Sequence, residues 1–305
     1  MRYLRLLSWV AGAAWAIEPA KAQVILDVLV SRATGAARAD DDDVIWRMSE
    51  AAERRRDEPR EGIAVVPVTG VISPRVHDVE GLSTGGGMSA EDFAAAMRQL
   101  AADPAVKGAV LDIDSPGGNV LGVPEAVGAI RDFQAAGKPV SAVAYHWAAS
   151  AAYWLASAAD DELVVTPSGE VGSIGVYVYH EDISKRLDML GVKPTLIKAG
   201  ANKAEGHPAF PLGEEAAAHV QARVDDYYAM FVKDVAKGRG VPAATVRESF
   251  GGGRMVGAQA AVSLGMADRV GSLAETVKRM QRKAGRPARA ASASVDLRRR
   301  RLAVI

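Results

Sequence analysis

The most constraining stretch of this chain runs from Pro139 to Leu155: Pro-Val-Ser-Ala-Val-Ala-Tyr-His-Trp-Ala-Ala-Ser-Ala-Ala-Tyr-Trp-Leu. Val140–Tyr145 has the apolar density of a buried strand, and the residues after Ser150 open a helix to about Ala158. Ser150 sits at the junction. Its small neighbours leave the hydroxyl room and let backbone approach a ligand closely. A lone serine at such a point more often caps or packs a helix. Reading Ser150 as a nucleophile therefore depends on whether the rest of the chain supplies its partners.

The neighbouring sequence repeats the strand-then-helix rhythm. Ile63–Val68 reads as a strand, continued by Gly70-Val71-Ile72-Ser73-Pro74 into a turn. Gly81 and Gly85–Gly87 make Glu80–Met88 a flexible loop. Ser89 is a helix N-cap with Glu91 in the first turn, and Phe93, Met97 and Leu100 follow at helical spacing. Ala109–Asp114 is a short strand ending in Ser115-Pro116-Gly117-Gly118-Asn119. A helix from about Val123 to Ala136 is stopped by Gly137-Lys138-Pro139. This alternation predicts an α/β fold with a mostly parallel sheet and crossover helices. Further on, Leu163–Val165 and Thr195–Ile197 read as strands and Ile183–Leu190 as a short helix. The longest amphipathic helix spans Glu214–Val235, and shorter ones fall within Val241–Phe250 and Gly257–Leu264.

The chain has 305 residues, enough for one large domain with extensions. We divide it into an N-terminal arm and linker (1–61), a main domain (62–280) and a basic tail (281–305). The arm holds a possible helix around Pro19–Arg32, then Ala-Asp and Arg-Glu runs with little to bury. Met1–Ala16 loosely imitates a secretory signal, but Leu7–Ile17 is too short for an ordinary membrane span. Net charge is zero, so nothing global calls for nucleic acid or an anionic membrane. The Arg298–Arg301 run reads as a solvated face. With no cysteine, disulfides, thiol nucleophiles and thiolate metal sites are excluded.

A serine hydroxyl needs a base. Of the histidines, His77, His180, His207 and His219 lie in no marking pattern. His146 is near Ser150 in sequence only, and none forms a metal-binding motif. A lysine can serve if desolvation lowers its pKa well below about 10.4. Lys203 lies in a Gly/Ala/Asn-rich turn and Lys198 competes with it; composition does not choose between them. Gly117-Gly118 follow a buried strand and leave backbone N–H groups accessible, and the Ala151 N–H joins them if Ser150 lies on a strand-to-helix turn. Alone, Gly117-Gly118 would read as a tight β–α turn, and their spacing is not a dinucleotide fingerprint. No cofactor or metal is called for.

Four segments in order resemble the signal peptide peptidase A family of serine peptidases (peptidase family S49): Asp112-Ile113-Asp114-Ser115-Pro116-Gly117-Gly118, Ala149-Ser150-Ala151-Ala152-Tyr153-Trp154, Val171-Gly172-Ser173-Ile174-Gly175-Val176 and Gly200-Ala201-Asn202-Lys203. The likeness covers about 62–275 and is strongest to the bacteriophage head-protease branch, which the arm from Trp15-Ala16-Ile17 to Gly35 also resembles. The resemblance implies a ClpP/crotonase-like fold and a Ser–Lys dyad. Ser150 is then the nucleophile, Lys203 the base, and Lys198 a non-catalytic lysine. Gly118 and Ala151 supply the oxyanion hole, and Gly117, Gly172 and Ser173 the active-site wall. It further implies a homo-oligomer acting on capsid or scaffold protein in the host cytoplasm or prohead. Tyr153 and Trp154 are expected to anchor the helix after Ser150, and small residues around Ser150 suggest small or apolar side chains on the acyl side of the cut. Rival readings are a membrane-associated enzyme degrading signal peptides, a crotonase-like acyl-CoA enzyme, and an inactive head-associated structural protein.

Overall fold

The computed structural model describes residues 14–17, 19, 62–75 and 87–285. Apart from Pro19, the expected helix around Pro19–Arg32 lies outside the described residues, as do the linker, most of the glycine loop before Met88 and most of the basic tail.

The larger sheet is built on β2 (Ile63–Thr69), β5 (Gly108–Ser115) and β7 (Val140–Ala149), paired in parallel in the order β7-β5-β2. β7 is long enough to take two partners on its other edge. Ala142–Ala144 pair with β8 (Leu163–Val165), and Trp147–Ala149 with β9 (Glu170–Gly172), both in parallel. β8 continues in parallel to β11 (Arg269–Val270), whereas β10 (Met255–Gly257) closes the β9 edge antiparallel. The result is an α/β fold with a largely parallel sheet, as the alternation predicts.

A smaller sheet lies beside it in the order β1-β6-β3-β4. Its strands are β1 (Trp15–Ile17), β6 (Gly117–Asn119), β3 (Ile72–Ser73) and β4 (Met88–Ser89). β6 begins two residues after β5 ends, so one continuous segment serves both sheets. Within the stretch expected as an arm, Trp15–Ile17 is thus a buried end strand of the smaller sheet. Ala14, Trp15, Ala16 and Ile17 are all buried, because four apolar residues in a row find a free strand edge to pair with.

The helices cover both faces of the larger sheet. α1 (Ala90–Ala102) starts where the Ser89 side chain accepts from the Asp92 N–H, and it buries Phe93 and Met97. α2 (Val123–Ala135) has Pro124 in its first turn and buries Val127, Ile130 and Phe133. α3 (Ala151–Ser157) is buried at every position. α4 (Ser184–Met189) is short and has no buried residue. α5 (Glu214–Arg239) buries Phe231, Val232 and Val235 near its C-terminal end, while Val220, Val224 and Tyr228 of the predicted stripe are only half-buried. α6 (Ala243–Ser249) follows Pro242, and α7 (Ala258–Ser263) follows β10. On the opposite face, α8 (Leu273–Ala284) opens on a capping box between Ser272 and Glu275. Its Met280 packs with Ile63, Val110, Val143 and Val164. The last residues of α8 lie where the tail was expected to begin, and Lys283 pairs with Asp161.

One predicted strand is absent. Thr195–Ile197 forms no ladder; Leu196 is 41% and Ile197 94% exposed. Thr195 and Ile197 have the propensity for a strand, but the segment pairs with no strand of the described sheets, and propensity without a partner makes no ladder. Among the described residues no helix is long and apolar enough to cross a membrane.

Candidate active site

Ser150 ends β7 and precedes α3, in a backbone conformation (φ 54°, ψ −118°) that residues with a Cβ rarely adopt. Two bonds hold it there. Its N–H donates to the Gly172 carbonyl at 2.7 Å, and its carbonyl accepts from the Trp154 N–H at 2.9 Å. The sharp turn is the geometry that projects a nucleophile from a strand–helix junction. The side chain is fully buried, and its Oγ has no hydrogen-bond partner. Buried hydroxyls are nearly always paired, so this one is held in a state that a folded protein normally avoids.

α3 is fixed from behind. Tyr153 donates its hydroxyl to the Met266 carbonyl at 2.9 Å, and burial raises its pKa. The Trp154 ring stacks on Phe231 at 4.6 Å between centroids, and its Nε1 donates to Asp234 at 2.9 Å. Asp234 also pairs with Arg131 at 2.6 Å. Gly238 lets α5 close on α3, since a Cβ there would lie 1.8 Å from the Ser157 carbonyl oxygen. Both aromatic residues anchor the helix after Ser150, as expected.

The glycines beside Ser150 are required by contact. Gly117 has φ +92°, and a Cβ on it would sit 2.3 Å from the Ala16 carbonyl oxygen, 2.9 Å from that of Ala149 and 3.0 Å from the Ser150 Cβ. A Cβ on Gly118 would strike the Ile72 carbonyl oxygen at 1.9 Å. The Gly117 N–H donates to Ser115 Oγ at 3.2 Å, and Ser115 in turn donates to the Gly70 carbonyl at 2.6 Å. Ser115 thereby braces the turn, a role the sequence reading missed because a serine before Pro-Gly-Gly looks like an ordinary turn residue. On the other side, Gly172 (φ +125°) accepts from Ser150, and Ser173 (φ 54°) donates its N–H to the Arg254 carbonyl at 2.9 Å. The structure thus gathers Ser150, Ala151, Gly117, Gly118, Gly172 and Ser173 at one point, where β5, β6, β7 and β9 meet.

Lys203 is not in this group. It is exposed, in a turn where its N–H donates to the Gly200 carbonyl at 3.3 Å, and it makes no hydrogen bond to Ser150. Lys198 is also exposed and donates to the Ala201 carbonyl. None of the described histidines hydrogen-bonds Ser150. His146 instead pairs through Nδ1 with Asp114 at 2.9 Å on the surface. Its position follows from a bulge: Ile113 pairs with Ala144 and Ser115 with Ala148, so three residues, Tyr145–Trp147, stand opposite the single residue Asp114.

The sequence profile of peptidase family S49 matches residues 132–286, half of the chain, and takes in Ser150, Gly172, Ser173 and Lys203. The chain belongs to peptidase family S49. Among its relatives, the head-tail preconnector protein GP5 of Enterobacteria phage P21 is 36% identical over 222 residues, covering 72% of this chain and 42% of that protein. The capsid assembly protease C of Escherichia phage lambda is 35% identical over 211 residues, covering 68% of this chain and 46% of the protease. This family member therefore spans less than half the length of the two phage relatives it matches.

Proposed function

We propose that this family member is a serine endopeptidase of the phage head-protease branch, cutting capsid or scaffold proteins during head maturation. The observation that carries the reading is the fully buried, unpartnered Ser150 hydroxyl on a strained strand–helix turn. Family membership and the phage relatives support the same reading. We assign the fold to the ClpP/crotonase-like type, its catalytic domain covering 62–280 and the host cytoplasm or prohead being its location.

Ser150 attacks a peptide carbonyl while a neutral Lys203 takes its proton. The N–H groups of Gly118 and Ala151 stabilise the oxyanion, and Gly117, Gly172 and Ser173 wall the site. The Gly117 N–H is already engaged by Ser115, which favours Gly118 as the donor. The protonated lysine then donates to the leaving amine, and water hydrolyses the acyl-enzyme.

A lysine acts as a base only when desolvated. Lys203 is exposed in the single chain, and it shares its segment with Met189 (81% exposed), Leu190 and Ile197. A homo-oligomer that covers this apolar segment would remove water from both. The rival acyl-CoA enzyme would not need Lys203, and an inactive structural protein would need neither residue.

The test is labelling by a fluorophosphonate together with cleavage of the target. Wild type is expected to be labelled at Ser150 and to cleave, while folded Ser150→Ala and Lys203→Ala proteins do neither. Proteolysis retained by purified Ser150→Ala would overturn the assignment.

A further inference from the structure

β1 runs between β6 and Tyr177, against the Gly117–Gly118 backbone. It pairs antiparallel with β6 in the register Trp15–Asn119, Ala16–Gly118 and Ile17–Gly117. On its other side, Trp15 and Tyr177 exchange both backbone hydrogen bonds, at 2.9 and 3.0 Å. Residues 14–17 are therefore a strand clamped from both edges. The Val120 N–H donates to the Ala14 carbonyl at 3.2 Å. In an antiparallel ladder hydrogen-bonded pairs alternate, so the next such pair is Ala16 with Gly118. That directs the Ala16 carbonyl toward the Gly118 N–H, the donor assigned above to the oxyanion. The Gly117 contacts put the same carbonyl beside the nucleophile: Ala16 O and the Ser150 Cβ lie 2.3 and 3.0 Å from one point in space.

We propose that Ala14–Ile17 are a built-in occupant of the peptide-binding cleft, with Ala16 seated where the acyl-side residue of a substrate sits. The ligand class follows from the occupant. The cleft takes an extended peptide by strand pairing to β6 and Tyr177, with a small residue opposite Gly118. In an antiparallel pair, opposed side chains stand on the same face. The Ile72 carbonyl already fills the place of a Gly118 Cβ, and Ala16 is fully buried, so that face has little room for a larger side chain. A substrate strand and β1 compete for the same backbone groups, so β1 must leave before a substrate can pair. The catalytic meaning of this competition rests on the nucleophile assignment to Ser150; the occupancy of the cleft does not.

The test separates the two by using the full chain with Ser150→Ala, which binds without chemistry. The probe is a fluorescently labelled Ala-Trp-Ala-Ile peptide, followed by anisotropy and by hydrogen exchange. Saturating peptide is expected to speed exchange of the Trp15 N–H at least tenfold while the Tyr177 and Val120 amides stay protected. Adding Ala16→Pro to the same chain removes the residue-16 N–H and weakens β1 pairing. It is expected to tighten peptide binding at least tenfold, and Ala-Trp-Leu-Ile is expected to bind at least tenfold more weakly than Ala-Trp-Ala-Ile. Absence of binding, unchanged Trp15 exchange at saturation, or equal affinity with and without Ala16→Pro would each overturn the proposal. Loss of the nucleophile assignment alone would appear as an Ala16→Pro chain that keeps Ser150 yet is not labelled by the fluorophosphonate, with these binding results intact.

Discussion

Replacing Ser150 by alanine should make the protein more stable. A buried hydroxyl without a partner costs about 1–3 kcal/mol relative to an apolar group of the same shape, and Ser150 Oγ is in that state. Removing one oxygen leaves a void on the order of 10 Å³, which at ~24 cal/mol per Å³ returns only a few tenths of a kcal/mol. The net expectation for Ser150→Ala is a gain of about 1 kcal/mol. Alanine keeps the backbone strain of φ 54° and ψ −118°. Glycine releases it, a gain of roughly 1–3 kcal/mol, but concedes about 0.5–1 kcal/mol of unfolded-chain entropy. Ser150→Gly should therefore be at least as stable as Ser150→Ala. The assay is denaturant unfolding with unchanged slope, backed by calorimetry, where 1 kcal/mol in a domain of this size moves Tm by roughly 2–4 °C. A Ser150→Ala protein less stable than wild type by 1 kcal/mol or more would mean that the hydroxyl is satisfied in solution. The argument from the unpaired Ser150 hydroxyl would then fail.

Asp234→Ala should destabilise the fold by about 2–4 kcal/mol, since it strands the Arg131 guanidinium and the Trp154 indole N–H together; Asp234→Asn should lose less, and unfolding midpoints will rank the two. Tyr153→Phe should cost about 1–2 kcal/mol at neutral pH by unpairing the Met266 carbonyl. Burial raises the Tyr153 pKa, so the folded protein keeps a proton that the unfolded chain releases near pH ~10. The contribution is complete below that pH and is lost as pH rises toward the native value, so the stability gap between wild type and Tyr153→Phe should narrow between about pH 9 and 11.

Much of the scaffold was legible from local pattern. The helix starts at Ser89 and near Val123, the glycine stop after α2, and the parallel strands β2, β5 and β7 all follow from residues whose conformational needs are met within a few neighbours. The false strand at Thr195–Ile197 shows where that logic ends. β-branched residues favour an extended chain, but a strand exists only if a distant edge offers hydrogen bonds. The brace from Ser115 to Gly70 spans 45 residues of sequence and left no local trace. Asp234 was hidden for the same reason: one acidic residue on a long polar helix looks like any other until Trp154 and Arg131 meet it.

At the site, sequence alone determined which atoms are available: one serine at a strand–helix junction of small residues, a glycine pair after a buried strand, and no thiol to compete. Family motifs in the sequence singled out Lys203. Tertiary structure decided how those atoms stand. It strained Ser150, left its hydroxyl unpaired, engaged the Gly117 N–H with Ser115 and kept Lys203 at the surface. It also brought Trp15–Ile17, separated in sequence from β6 by about a hundred residues, against the Gly117–Gly118 backbone. Residue types and local turns are fixed by short-range sterics. Which strand edge meets which, and whether a buried hydroxyl finds a partner, depend on contacts that form only when distant segments close.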